Sequence, residues 1–114
     1  MKFYKNLDTN EAIIVEDSEI LGKGFVELTA NTVDAAFEKH IPYVEENGEK
    51  VLVKVGEVEH PMQEEHYIMW IAQVTETEVK KVELNPGDKP QAIFDNIEDA
   101  EYYAYCNLHG LWKK

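Results

Sequence analysis

A chain of 114 residues has room for one core and a small appendage, and a hydrophobic content of 44% excludes intrinsic disorder. Twenty-three acids face eleven bases, every one a lysine, for a net charge of −12; without a basic stripe or an arginine fork, nucleic acid is excluded as a partner. No apolar run approaches the roughly 20 residues that cross a bilayer, residues 1–6 carry no secretory apolar region, and the single cysteine cannot close an internal disulfide. The expected setting is therefore the cytoplasm, with no membrane partner. A small anionic substrate would be repelled by the protein as a whole and would need a local positive group to draw it in.

Residues 1–30 read as short extended pieces broken by turns. Strand-like runs cover 11–15 and 25–29, with Gly22-Lys23-Gly24 turning the chain between them. This segment is too short to own a core. Residues 32–42 form a connection. The β-branched run 51–55 follows Asn47-Gly48, a hairpin signal. The stretch 67–74 alternates, with Ile68, Trp70, Ala72 and Val74 expected on one face. A second alternating stretch, 77–84, ends at the turn Pro86-Gly87, and 91–94 is another short strand. Asp95 or Asn96 could cap a helical turn running to Ala100, and 101–105 then prefers a strand that delivers Cys106. Many short strands with turn signals between them indicate an all-β protein built as a β-sandwich.

The chemistry concentrates in Cys106-Asn107-Leu108-His109-Gly110, where a thiolate and an imidazole at i and i+3 are closed by a glycine. Both can reach one metal ion from a tight turn, and sulfur with imidazole nitrogen suits iron, zinc or copper. The other three histidines, His40, His60 and His66, also lie beside turn formers, and Pro61 argues against a helical pairing of His60 with His66. A lone histidine is more often a surface or hydrogen-bonded residue than a ligand. Four imidazoles and one thiolate at loop positions, with none left over, make a mixed site of high ligand number. A closed zinc tetrahedron needs only four; five donors with one open position suit iron. Ligand counting alone leaves both open.

Three motifs in order carry a resemblance to a known family: Glu38-Lys39-His40-Ile41-Pro42; His60-Pro61-Met62 through His66 with Trp70 following; and Tyr105-Cys106-Asn107-Leu108-His109-Gly110 with Trp112. Together they resemble superoxide reductase, the desulfoferrodoxin and neelaredoxin family, over about residues 30–114. The resemblance implies an immunoglobulin-like β-sandwich for 31–114. It also implies one iron (Fe2+/Fe3+) per chain, with His40, His60, His66 and His109 equatorial and Cys106 axial. Residues 1–30 are similar to the family's small desulforedoxin-like N-terminal β segment, but the positions that match its four cysteines read Asn6, Thr9, Ile20 and Leu21. A vestigial segment without metal follows, retained for structure or subunit contact.

The activity implied is reduction of superoxide to hydrogen peroxide with one external electron and two protons, without release of oxygen. Iron(II) and one thiolate leave the site near +1, an attraction for an anion. By the same resemblance, Lys39 draws superoxide toward the open position and helps a water supply protons. Glu38 resembles the glutamate that takes that position after turnover; its plain alternative is an exposed loop carboxylate. The Leu108 and His109 N–H groups are expected to aim at the sulfur and tune the site. Trp70 and Trp112 read as packing, and Glu64 or Glu65 as surface charges, one of which could orient a histidine. The expected donor is rubredoxin or a related reductase, and the expected assembly a homodimer or homotetramer. The competing functions are a non-catalytic iron electron carrier and a zinc-stabilised interaction module. A cysteine-nucleophile hydrolase is weak, because it leaves three histidines unexplained.

Overall fold

The computed structural model describes residues 2–15 and 21–114. Three N-terminal strands, β1 (Lys2–Asn6), β2 (Ala12–Val15) and β3 (Phe25–Leu28), precede one short helix, α1 (Phe37–His40). Seven strands follow: β4 (Pro42–Asn47), β5 (Lys50–Val55), β6 (Ile68–Val74), β7 (Val79–Glu83), β8 (Gln91–Asp95), β9 (Glu101–Cys106) and β10 (Gly110–Lys113). They form a four-stranded sheet, β10-β9-β6-β7, and a three-stranded sheet, β4-β5-β8, with antiparallel pairing throughout. Four strands facing three is an immunoglobulin-like sandwich, as the strand pattern and the resemblance implied.

Its interior is Val51, Val53 and Val55 of β5 with Ala92 and Phe94 of β8, closed against Ile68, Ile71, Tyr102, Ala104 and Cys106 of the larger sheet. The β-branched run of β5 therefore supplies one wall through its alternate residues. Cys106 ends the same row of β9 as Tyr102 and Ala104, so the strand's alternation alone turns its sulfur inward.

The larger sheet is buried on both faces. Its outer face carries Trp70, Ala72, Val74, Tyr103, Tyr105 and Leu111, covered by Phe3 and Ala12 of the β2-β1-β3 sheet. Phe3 sits 4.4 Å from the Tyr103 ring and 6.2 Å from Trp70. The N-terminal segment has no interior of its own; it shares this one. Its first turn is held by polar groups. The Asn6 side-chain oxygen accepts from the N–H groups of Asp8 (2.9 Å) and Thr9 (3.3 Å), and Thr9 Oγ1 accepts from Glu11 N–H. Side-chain-to-backbone hydrogen bonds from Asn6 and Thr9 thus set the turn. Ile20 lies outside the described residues.

Three expectations are corrected. Ile68 does not share a face with Trp70: a register irregularity between them, a β-bulge, moves Ile68 to the inner core beside Ile71. No helical turn follows Asp95. That residue ends β8, Ala100 N–H bonds Ile97 carbonyl, and Asp99 takes φ 62, a left-handed conformation that cannot propagate a helix. The connection 32–42 contains α1, so His40, expected at a loop position, ends a short helix that also carries Glu38 and Lys39. Among the described residues no helix is long and apolar enough to cross a membrane.

Candidate metal centre

Four segments converge at one end of the sandwich: α1, the loop from β5 to β6, the end of β9, and the turn before β10. The hairpin turn spans Asn107, Leu108 and His109 and closes at Gly110, whose φ of 78 is readily reached only by glycine. It returns His109 over Cys106. Trp112 Nε1 donates to His109 carbonyl (3.1 Å) and its ring lies 4.8 Å from that of His40, tying the turn to α1.

The four imidazoles form a ring. In the order His40, His60, His66, His109 and back to His40, neighbouring centroids are 4.6, 4.6, 5.0 and 4.9 Å apart, and each pair is edge-on at 78–84°. His40 and His66 face each other across it at 6.3 Å. One donor atom from each of His40, His66, Cys106 and His109 lies within 4.8 Å of the others. His60 stands across the ring from His109 and joins through its neighbours, its Nε2 being 3.1 Å from His40 Nε2 and 3.5 Å from the Cys106 sulfur. The sulfur is fully buried beneath the ring, while His66 and His109 reach the half-buried rim.

The donor chemistry fits a cation. His40 Nδ1 is 2.7 Å from Ala36 carbonyl and His60 Nδ1 is 2.6 Å from Pro61 carbonyl. A carbonyl only accepts, so both Nδ1 atoms carry the proton and both Nε2 atoms present lone pairs. Those lone pairs face each other at 3.1 Å, and His109 Nδ1 is 3.1 Å from His40 Nε2. His66 Nε2 is buried with no hydrogen-bond partner. Converging lone pairs and one orphaned nitrogen are costly alone and would be satisfied together by a single metal ion.

Protonation follows the same logic. Burial pushes the His40 and His66 pKa values down and that of His60 to about 4, so these rings stay neutral, as metal binding requires. Burial raises the Cys106 pKa, and the backbone N–H groups of His109 and Leu108 act against that rise.

Glu38 and Lys39 are exposed on α1 beside the ring. The Lys39 charge reaches His66 and lowers its pKa, after burial and His109; the Glu38 charge raises that of His40, against the larger effect of burial. Glu64 and Glu65 are exposed, and Trp70 packs in the outer cluster.

Sequence reasoning missed Gly56. It has φ +86, and a Cβ there would lie 2.7 Å from Lys39 carbonyl oxygen and 2.8 Å from its carbon. The missing side chain lets the end of α1 rest on the turn after β5. There Gly56 N–H bonds Ile41 carbonyl (3.1 Å) and Val58 N–H bonds Glu38 carbonyl (2.9 Å). A glycine directly after a β-branched strand was the available signal. The Ala36 and Pro61 carbonyls had none, because main-chain acceptors leave no trace in residue type.

Known proteins resemble this chain in sequence and in fold. A family model described as desulfoferrodoxin matches residues 32–114. A desulfoferrodoxin of Clostridium acetobutylicum is 50% identical over 86 residues, covering 75% of this chain and 69% of that protein. A superoxide reductase of Pyrococcus horikoshii is 35% identical over 105 residues, covering 75% and 91%. The crystal structure of the superoxide reductase from Treponema pallidum superposes with a TM-score of 0.79 at 36% identity, over 100% of this chain and 99% of that one. The N-terminal strands thus lie within the region of likeness as well as the sandwich. This chain belongs to the desulfoferrodoxin family.

Proposed function

We propose that the protein is a superoxide reductase, converting superoxide to hydrogen peroxide with one electron from an external donor and two protons. The observation that carries this is the ring of four neutral imidazoles above a buried cysteine, with lone pairs converging on one point. His40, His60, His66, His109 and Cys106 would hold an iron ion. When bound, the iron supplies the one-electron reduction and a site for the anion. A ring of neutral imidazoles adds no negative charge, so the anion meets a local cation despite a net charge of −12. Lys39 Nζ adds a mobile positive charge at the rim and, through a water, hands protons to the departing product. Glu38, exposed beside it on α1, would be the carboxylate that closes onto the bound ion between turnovers. The N–H groups of Leu108 and His109 withdraw electron density from the thiolate and set how strongly it donates.

The reading extends to the whole chain. Residues 1–30 act as a metal-free cover for the outer face of the larger sheet. Edge strands β2 and β3 have no neighbour beyond β1 among the described residues and offer the contact for a homodimer or homotetramer. Rubredoxin or a related reductase supplies the electron directly to the single site, and the cytoplasm keeps the lone thiol reduced.

Absorption spectroscopy tests the proposal. Protein loaded with iron and oxidised should show a visible thiolate-to-iron band that vanishes in Cys106→Ser, with one iron per chain. Zinc-filled, colourless protein from iron-replete cells would instead favour a structural site.

A further inference from the structure

Asn107 stands next to Cys106, yet its side chain serves another segment. Its Oδ1 accepts from Tyr67 N–H (3.0 Å) and its Nδ2 donates to Glu65 carbonyl (3.1 Å), while its own N–H donates to Tyr67 carbonyl (3.2 Å). An N–H only donates and a carbonyl only accepts, so the carboxamide has a single orientation. The two groups it bridges lie on either side of His66.

His66 needs this support more than His40 or His60. His40 and His60 are each steered by a carbonyl on Nδ1. The ring of His66 has no such bond among the described residues, and its Nε2 is the buried nitrogen without a partner. Its main chain pairs with Gln63 through two bonds of 3.0 Å, which closes its own loop but does not attach that loop to the cysteine turn. The attachment is Asn107, 40 and 42 positions along the chain from the groups it grips.

We propose that Asn107 is a positioning residue for the metal centre: its carboxamide clamps the peptide groups flanking His66 to the Cys106 turn and so sets the distance between that imidazole and the sulfur. The inference rests on the metal-centre reading above. It assigns one side chain to the joint between the segment that carries Cys106 and the segment that carries His66.

The test compares Asn107→Ala, Asn107→Asp and Asn96→Ala for iron affinity, by competition with a chelator, and for the position of the thiolate band. Asn96 makes a similar single bond between loops, Nδ2 to Gly48 carbonyl at 3.0 Å, at the opposite end of β5 from Gly56, and reports purely structural loss. Asn107→Ala should bind iron about tenfold more weakly with a displaced band, and Asn96→Ala should change neither. Asn107→Asp keeps the acceptor for Tyr67 N–H but not the donor to Glu65, and should fall between; it carries the test should the alanine variant not fold. In a His66→Ala background the Asn107 effect should shrink to under about twofold. Wild-type affinity and band in both Asn107 variants, an equal loss in Asn96→Ala, or a tenfold effect that persists without His66 would each overturn the proposal. A wild-type protein that takes up no iron or shows no band would instead overturn the parent reading.

Discussion

Gly56→Ala asks whether the metal centre depends on a backbone contact that no side chain makes. At φ +86 an L residue pays about 1–2 kcal/mol for left-handed geometry. The new Cβ would also stand 2.3 Å from Val58 carbonyl oxygen and 2.7 Å from that of Lys39. Both are main-chain atoms that cannot rotate away, and forced shifts of that kind cost about 1–3 kcal/mol. Gly24→Ala is the matched control: φ is +91, but nothing lies within 4 Å, so only the conformational cost applies. The difference between the two variants should be about 2 kcal/mol, or roughly 8 °C in the thermal midpoint of a domain this size. Circular dichroism melts of metal-free protein measure it. Chelator competition should then show an iron affinity about tenfold lower in Gly56→Ala and unchanged in Gly24→Ala, because relief of the clash moves Lys39 and the adjoining His40. Equal midpoints in the two variants would refute the contact argument, and a lower midpoint with wild-type affinity would refute the link from Gly56 to the metal.

Lys39→Ala should slow the second-order reaction with superoxide in pulse radiolysis about tenfold, and the wild-type rate should fall with added salt; an unchanged rate removes Lys39 from the mechanism. Metal-free protein should lose stability on acidification. Unfolded histidine takes up its proton near pH 6.5, whereas folded His60 waits until about 4, so the unfolded state binds more protons between those values and is favoured there. Burial of His40 and His66 acts in the same direction. Urea midpoints that do not change between pH 7.5 and 5 would contradict this. Phe3→Ala, which empties a site only 4% exposed between Trp70 and Tyr103, should cost about 3–5 kcal/mol and lower the urea midpoint of the entire sandwich. A loss confined to the N-terminal strands would show that they fold apart from it.

Residue type and local spacing, taken alone, determine a good deal here. Alternation and turn residues specify most of the strands. The pattern Cys-Asn-Leu-His-Gly specifies a tight turn with two donors, because Gly110 can take φ 78 and the intervening residues are few. The supply of four histidines and one cysteine specifies a mixed soft and borderline donor set, and with Cys106 the sole cysteine a second thiolate site is excluded. What only the tertiary structure decided is everything that depends on approach through space. The bulge that moves Ile68 away from Trp70 is a matter of register between β6 and β9, invisible in the alternation of β6 alone. The choice of Nε2 on His40 and His60 comes from the carbonyls of Ala36 and Pro61, groups that every residue possesses. Gly56 and Asn107 matter because the chain folds α1 and the His66 loop against them. The sequence names the donors by their chemistry; their convergence on one ion depends on backbone contacts between distant segments, which side-chain identity does not encode.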